Sequence, residues 1–126
     1  MLLAACSSQS PASATTVVLD RDFDLKTGET ARLEESDLVV RFEAVTSDSR
    51  CPVDVTCVWE GDATIRVSLA RPPREKESHE LHTAGPRRAA YGELEVQVSD
   101  LRPQPRSTAA VPPGDYRLSL VVRRVP

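Results

Sequence analysis

Residues 47–69 read S-D-S-R-C-P-V-D-V-T-C-V-W-E-G-D-A-T-I-R-V-S-L. In the last part of this stretch Ala63, Ile65, Val67 and Leu69 alternate with Thr64, Arg66, Ser68 and Ala70, the period of a half-buried strand. Ahead of it, Cys51 and Cys57 enclose five residues that begin with Pro52. Two readings fit such a pair, a disulfide staple or half of a metal site. Thiolate metal sites are usually built from C-x-x-C pairs or from added histidines at short spacing, and the chain holds no second pair. The spacing therefore favours a disulfide closing a ring of about seven residues, worth roughly 2.4 kcal/mol of unfolded-state entropy. Trp59 stands two positions after Cys57, so the two side chains share a face if the chain is extended. The expectation is an indole packed over the bridge at one end of the core. The alternative is an exposed tryptophan that anchors a partner, a role in which this residue is enriched. Glu60, Gly61 and Asp62 then read as a turn, with Gly61 free to take a positive φ.

The same period of two recurs on both sides. From Thr16 onward the pattern is β: Phe23 and Leu25 alternate with acids and Lys26, Thr27-Gly28 turns the chain, and Ala31 and Leu33 follow. Leu38, Val40, Phe42 and Ala44 alternate with Val39, Arg41, Glu43 and Val45 and deliver the chain to Asp48. Beyond the central strand, residues 71–78 form a charged loop broken by Pro72-Pro73, and residues 79–83 suggest a short edge strand. Leu94, Val96 and Val98 alternate again, residues 100–113 form a proline-rich connection, and Tyr116, Leu118, Leu120 and Val122 line one face of a last strand. The run V-P-P-G-D-Y ending at Tyr116 is similar to the tyrosine corner of immunoglobulin-like sandwiches, in which the phenol bonds back to the backbone. No helical period stands out. About seven short strands separated by turn signals predict an all-β, immunoglobulin-like antiparallel sandwich with one disulfide, a barrel being the alternative.

A length of 126 residues suits one domain. The net charge of −3, with acids and bases interspersed, argues against a nucleic-acid partner. The chain opens M-L-L-A-A-C, and Leu3-Ala4-Ala5-Cys6 resembles the lipobox at which bacterial lipoproteins are cut before a lipid-modified cysteine. Only a remnant of a signal peptide precedes Cys6, shorter than a full leader. The Ser/Ala/Pro-rich segment that follows is the composition of a tether. Lipidation of Cys6 would also remove the odd thiol among the three cysteines. The expected organisation is thus residues 1–5 as leader remnant, 6–15 as anchor and tether, and 16–126 as the β-sandwich. No stretch is long and apolar enough to span a bilayer, so the expected membrane contact is the anchor alone.

Asp48, Ser49, Arg50, Cys51, Pro52, Val55, Cys57, Trp59 and Gly61 together make a D-S-R-C-P-x-x-V-x-C-x-W-x-G motif. In this the chain resembles a group of small bacterial secreted proteins and lipoproteins, with looser agreement from Gly28 to Tyr116. The resemblance implies location in an oxidising envelope compartment and a β fold. It implies no chemistry.

Catalysis requires a nucleophile or an acid–base pair within reach. The chain has two histidines, His79 and His82, no G-x-S-x-G, and no glycine-rich phosphate loop. The reading is a non-enzymatic envelope module, without cofactor, whose partner is another envelope protein, a polymer or a small ligand. Asp48 and Arg50 either cap their own turn or form a recognition edge beside Trp59. The alternative function is metal handling, zinc or copper, by His79 and His82. In a regular strand those two imidazoles point to opposite faces, so chelation requires a bulge or turn.

Overall fold

The computed structural model describes residues 15–125. Among these described residues nine strands occur in chain order: β1 (Thr15–Val17), β2 (Phe23–Lys26), β3 (Thr30–Leu33), β4 (Val39–Asp48), β5 (Ala63–Ala70), β6 (Glu77–His82), β7 (Arg88–Tyr91), β8 (Leu94–Arg102) and β9 (Arg117–Arg124). They form a five-stranded sheet ordered β1-β3-β4-β5-β6 and a four-stranded sheet ordered β2-β9-β8-β7. All pairings are antiparallel except β1 with β3. The inner faces enclose one core, built from Leu33, Val40, Phe42, Ile65, Val67 and Leu81 on one side and Leu25, Val96, Val98, Leu118, Leu120 and Val122 on the other. The result is an all-β sandwich, as expected, with nine strands rather than about seven.

The two extra strands are β1 and β7. β7 is an Arg-Ala-Ala-Tyr segment joined to β8 across Gly92-Glu93, and its small side chains give little apolar contrast to read. The expected edge strand is β6, which does lie at an edge. The expected anchor at Cys6, the leader remnant and nearly all of the tether lie outside the described residues.

Leading into β4 and along its first half the alternation holds for Leu38, Val40 and Phe42, all fully buried. Beyond Phe42 it breaks. Register shifts between Phe42 and Ala44, and again between Val45 and Ser47, each insert a residue into β4 opposite β5. Such bulges shift which side chains face inward. Val45, not Ala44, therefore packs on the core, paired with the buried Ile65. The second bulge restores parity, so Asp48 faces inward opposite the buried Ala63. Two bulges thus bring a carboxylate to the end of the core.

Candidate functional site

The β4–β5 hairpin continues past its strands. Ser49 N–H donates to Asp62 O (2.7 Å) and Cys51 N–H to Glu60 O (3.0 Å), so the two chains stay paired up to the cysteine loop. Gly61 sits in this stem at φ +75°, and a Cβ there would lie 2.1 Å from Ser49 O and 2.8 Å from Arg50 Cα. Both contacts are backbone, which cannot move aside. Only glycine fits.

Arg50 lies two positions beyond Asp48 on an extended stem, so the two side chains fall on the same inward face. The guanidinium meets the carboxylate side-on, Nε to Oδ1 at 2.8 Å and one terminal nitrogen to Oδ2 at 2.8 Å. It also donates to Leu101 O (2.7 Å) and Pro103 O (2.9 Å). The Tyr116 hydroxyl donates to Asp48 Oδ2 at 2.7 Å. The pair is largely withdrawn from solvent, with side-chain exposures of 9% for Arg50 and 12% for Asp48. These bonds clasp the hairpin of one sheet to the end of β8 and the start of β9 in the other. Burial raises the Asp48 pKa, but hydrogen bonds from Arg50 and Tyr116 outweigh it and hold the carboxyl below its ordinary value. Tyr116 is pushed up to about 12, first by burial and then by its bond to the Asp48 carboxylate.

Of the two readings of Asp48 and Arg50 the turn cap holds, with Arg50 N–H donating to Asp48 Oδ1 (3.3 Å), and the pair is internal rather than an exposed recognition edge. One expectation changes here. The Tyr116 phenol reaches the Asp48 carboxylate rather than a backbone carbonyl, so this is not the tyrosine corner of an immunoglobulin fold.

Cys51 and Cys57 form the expected disulfide, with Cα atoms 6.0 Å apart. The ring is held against the proline-rich connection. Val53 N–H donates to Pro105 O (3.0 Å), and Asp54 accepts from the Ser107 amide (2.9 Å) and hydroxyl (2.6 Å). Inside the ring Val55 N–H donates to Pro52 O (3.3 Å).

Trp59 does not pack over the bridge. Its exposure is 81%, and that of its neighbour Val58 is 91%. The physical reason is where the opposite sheet stops. β8 ends at Arg102 and β9 begins at Arg117, and the space beyond Asp48 is filled by the ionic clasp. The hairpin tip therefore projects past the core. Val53 and Val55, at 50% and 44%, are exposed on the same loop. Of the five large hydrophobic side chains exposed among the described residues, four stand within residues 53–59. That concentration is unlike the single exposed apolar residues scattered over ordinary surfaces.

Beside the loop is a cleft of about 370 Å³ bordered by Arg50, Glu60, Thr83, Arg87, Asp100 and Gln104, among others. Its two arginines are already engaged. Arg50 is spent on the clasp, and Arg87 donates to the carbonyls of Thr83, Val98 and Ser99. Arg87 thus orients its N–H groups on carbonyls of the protein, while Arg50 is paired with Asp48.

The histidines do not converge. β6 pairs with β5 without a bulge, His79 opposite the inward Val67 and His82 opposite Thr64, so the rings leave opposite faces. Each has its own carboxylate: His79 Nε2 lies 3.0 Å from Glu77, and His82 Nδ1 lies 2.6 Å from Asp62. Asp62 also accepts from Ala84 N–H (3.0 Å), which ties the end of β6 to the hairpin turn. Among the described residues no three His, Cys, Asp or Glu side chains gather as a metal site. The chain matches no protein-family model, no curated protein and no solved structure.

Proposed function

We propose that this chain is a non-catalytic binding module of the bacterial cell envelope, anchored through a lipid on Cys6. Its recognition surface is the disulfide loop with Val58 and Trp59. One observation carries the reading: four exposed apolar side chains, Val53, Val55, Val58 and Trp59, are concentrated on and beside a loop that is tied down at its base. The bridge closes the ring, Asp54 and Val53 pin it to residues 105–107, and the Asp48–Arg50–Tyr116 clasp fixes the stem beneath it. Rigid apolar anchors lose little conformational freedom on binding, which favours affinity. The lipobox-like L-A-A-C and the tether composition after it support the anchor, and the disulfide suits an oxidising compartment.

The test has two arms. Mass spectrometry of protein made in its host from the upstream start should find Cys6 lipidated; an unmodified Cys6 in membrane-free material sinks the anchor. A photo-crosslinking residue at position 58, in the intact envelope, should give adducts that Trp59→Ala suppresses. Trp59→Ala itself should change stability by no more than about 0.5 kcal/mol, as ordinary surface changes do. A position 58 that captures nothing sinks the recognition surface.

A further inference from the structure

We infer that the Cys51–Cys57 bridge is a redox switch: a protein dithiol of the C-x-x-C class opens it in the folded domain and frees residues 56–59 alone. The switch concerns only how the loop is held, so it stands whether or not the loop is a recognition surface. The two halves of the ring are held differently. In the first half Val53 N–H donates to Pro105 O, Asp54 accepts from Ser107, and Val55 N–H donates to Pro52 O. The second half has no such ties. Among the described residues no hydrogen bond reaches Thr56, Cys57, Val58 or Trp59, and pairing resumes only where Glu60 O accepts from Cys51 N–H (3.0 Å). Val58 and Trp59 are 91% and 81% exposed, so packing adds little. The bridge is the restraint that fixes them.

The two sulfurs are as unequal as the two halves. Cys57 is exposed and Cys51 half-buried. Cys51 Sγ lies 3.5 Å from Pro52 O and 3.6 Å from Val55 O, acceptors that suit a protonated thiol once the bridge is open. A thiolate of the dithiol therefore attacks Cys57 Sγ; the Cys51–Cys57 bond breaks and a mixed disulfide forms on Cys57. Cys51 leaves as a thiolate and takes a proton from solvent. The second thiolate then attacks the dithiol's own sulfur in the mixed disulfide, which closes the dithiol's bridge and releases Cys57 to be protonated in turn. Two electrons pass to the loop, and one S–S bond forms for each one broken.

What stays in place makes this a switch and not unfolding. The Asp48–Arg50–Tyr116 clasp, the Ser49–Asp62 bond of the stem and the Val53 and Asp54 contacts involve no sulfur. The loss is the closure entropy of one short ring, well below the stability of a whole domain. Where the recognition reading also holds, an opened loop must be ordered again on binding, which weakens it.

The full chain carrying Cys6→Ser has the bridge as its only cysteine pair. With dithiothreitol and no denaturant, opening followed by alkylation and mass should run within about tenfold of its rate in the urea-unfolded chain, because no unfolding precedes it. In nitrogen-15 relaxation, reduction should lower the backbone order parameters of residues 56–59 from about 0.85 to below about 0.6, while those of Asp48, Arg50, Val53 and Asp54 hold. The Cys51→Ser, Cys57→Ser chain should match the reduced parent. Thioredoxin whose second active-site cysteine is replaced by Ser should be trapped on Cys57 and not on Cys51. Opening that waits for global unfolding, an adduct on Cys51, or an order of residues 56–59 unchanged by reduction would each overturn the switch. None of these readouts depends on what binds the loop.

Discussion

Asp48→Ala is the most revealing single change in the molecule. The substitution removes the carboxylate that accepts two Arg50 N–H bonds at 2.8 Å and the Tyr116 hydroxyl at 2.7 Å. Arg50 keeps its bonds to Leu101 O and Pro103 O, but its charge, on a side chain 9% exposed, loses its counter-charge. Breaking a buried pair from one side costs about 3–5 kcal/mol. The retained carbonyls and the residual exposure of Asp48 put the expectation near the lower end, about 3 kcal/mol. An exposed ion pair would give about 0–1 kcal/mol, so the two cases separate cleanly. Because the orphaned guanidinium dominates the cost, Asp48→Ala combined with Arg50→Met should recover about 1–2 kcal/mol relative to Asp48→Ala alone. Tyr116→Phe, which loses one bond to a charged acceptor, should cost about 1.5–3 kcal/mol. Urea denaturation at neutral pH measures all of these, provided the slope with denaturant stays constant. An Asp48→Ala protein within about 1 kcal/mol of the parent would refute the clasp.

Other consequences follow from the same pole of the sandwich. Gly61→Ala should destabilise by at least about 2 kcal/mol, since a left-handed backbone and a collision with the Ser49 carbonyl act together; a neutral result in urea denaturation would mean the stem is not paired as described. Replacing Cys51 and Cys57 together by Ser should cost roughly 2.4 kcal/mol from the ring entropy alone, measured against the oxidised parent, and no change in unfolding midpoint would contradict the bridge. Stability should also fall at both extremes of pH. Asp48 binds its proton more weakly in the folded chain than its ordinary 3.8, so its contribution is present above that value and is lost as pH falls through the lower folded one. Tyr116, raised from 10.0 to about 12, contributes fully below pH 10 and loses that contribution as pH rises from about 10 to about 12. Urea midpoints across pH should show Tyr116→Phe removing part of the alkaline limb; parallel curves for parent and variant would exclude Tyr116 as its source.

What could be read from residue order was the part set by local periodicity. Alternation through residues 38–42, 63–69, 94–98 and 116–122 marked the strands that supply most of the core, and the cysteine spacing marked the bridge. β7 escaped because Ala89 and Ala90 carry too little apolar contrast to show a period. The switch from Ala44 to Val45 escaped because a bulge is a property of two strands together, not of one. Trp59 was expected inside because Cys57 and Trp59 share a face in an extended chain. Its exposure depends instead on where β8 and β9 end, and nothing near residue 59 records that. The same-face relation of Asp48 and Arg50 was legible, but their burial was not. It relies on Leu101, Pro103 and Tyr116, between 51 and 68 positions further along the chain. A charged pair without those partners would stay in water.

The outward loop is the claim on which the functional reading stands, and the single tryptophan makes it directly measurable. Acrylamide quenching of the folded, oxidised protein free of membranes reads the exposure of Trp59 and of nothing else. An indole 81% exposed should emit at a wavelength close to that of the urea-unfolded chain and be quenched nearly as efficiently. A short-wavelength emission, shielded from acrylamide until the chain unfolds, would place Trp59 in the interior and contradict the account.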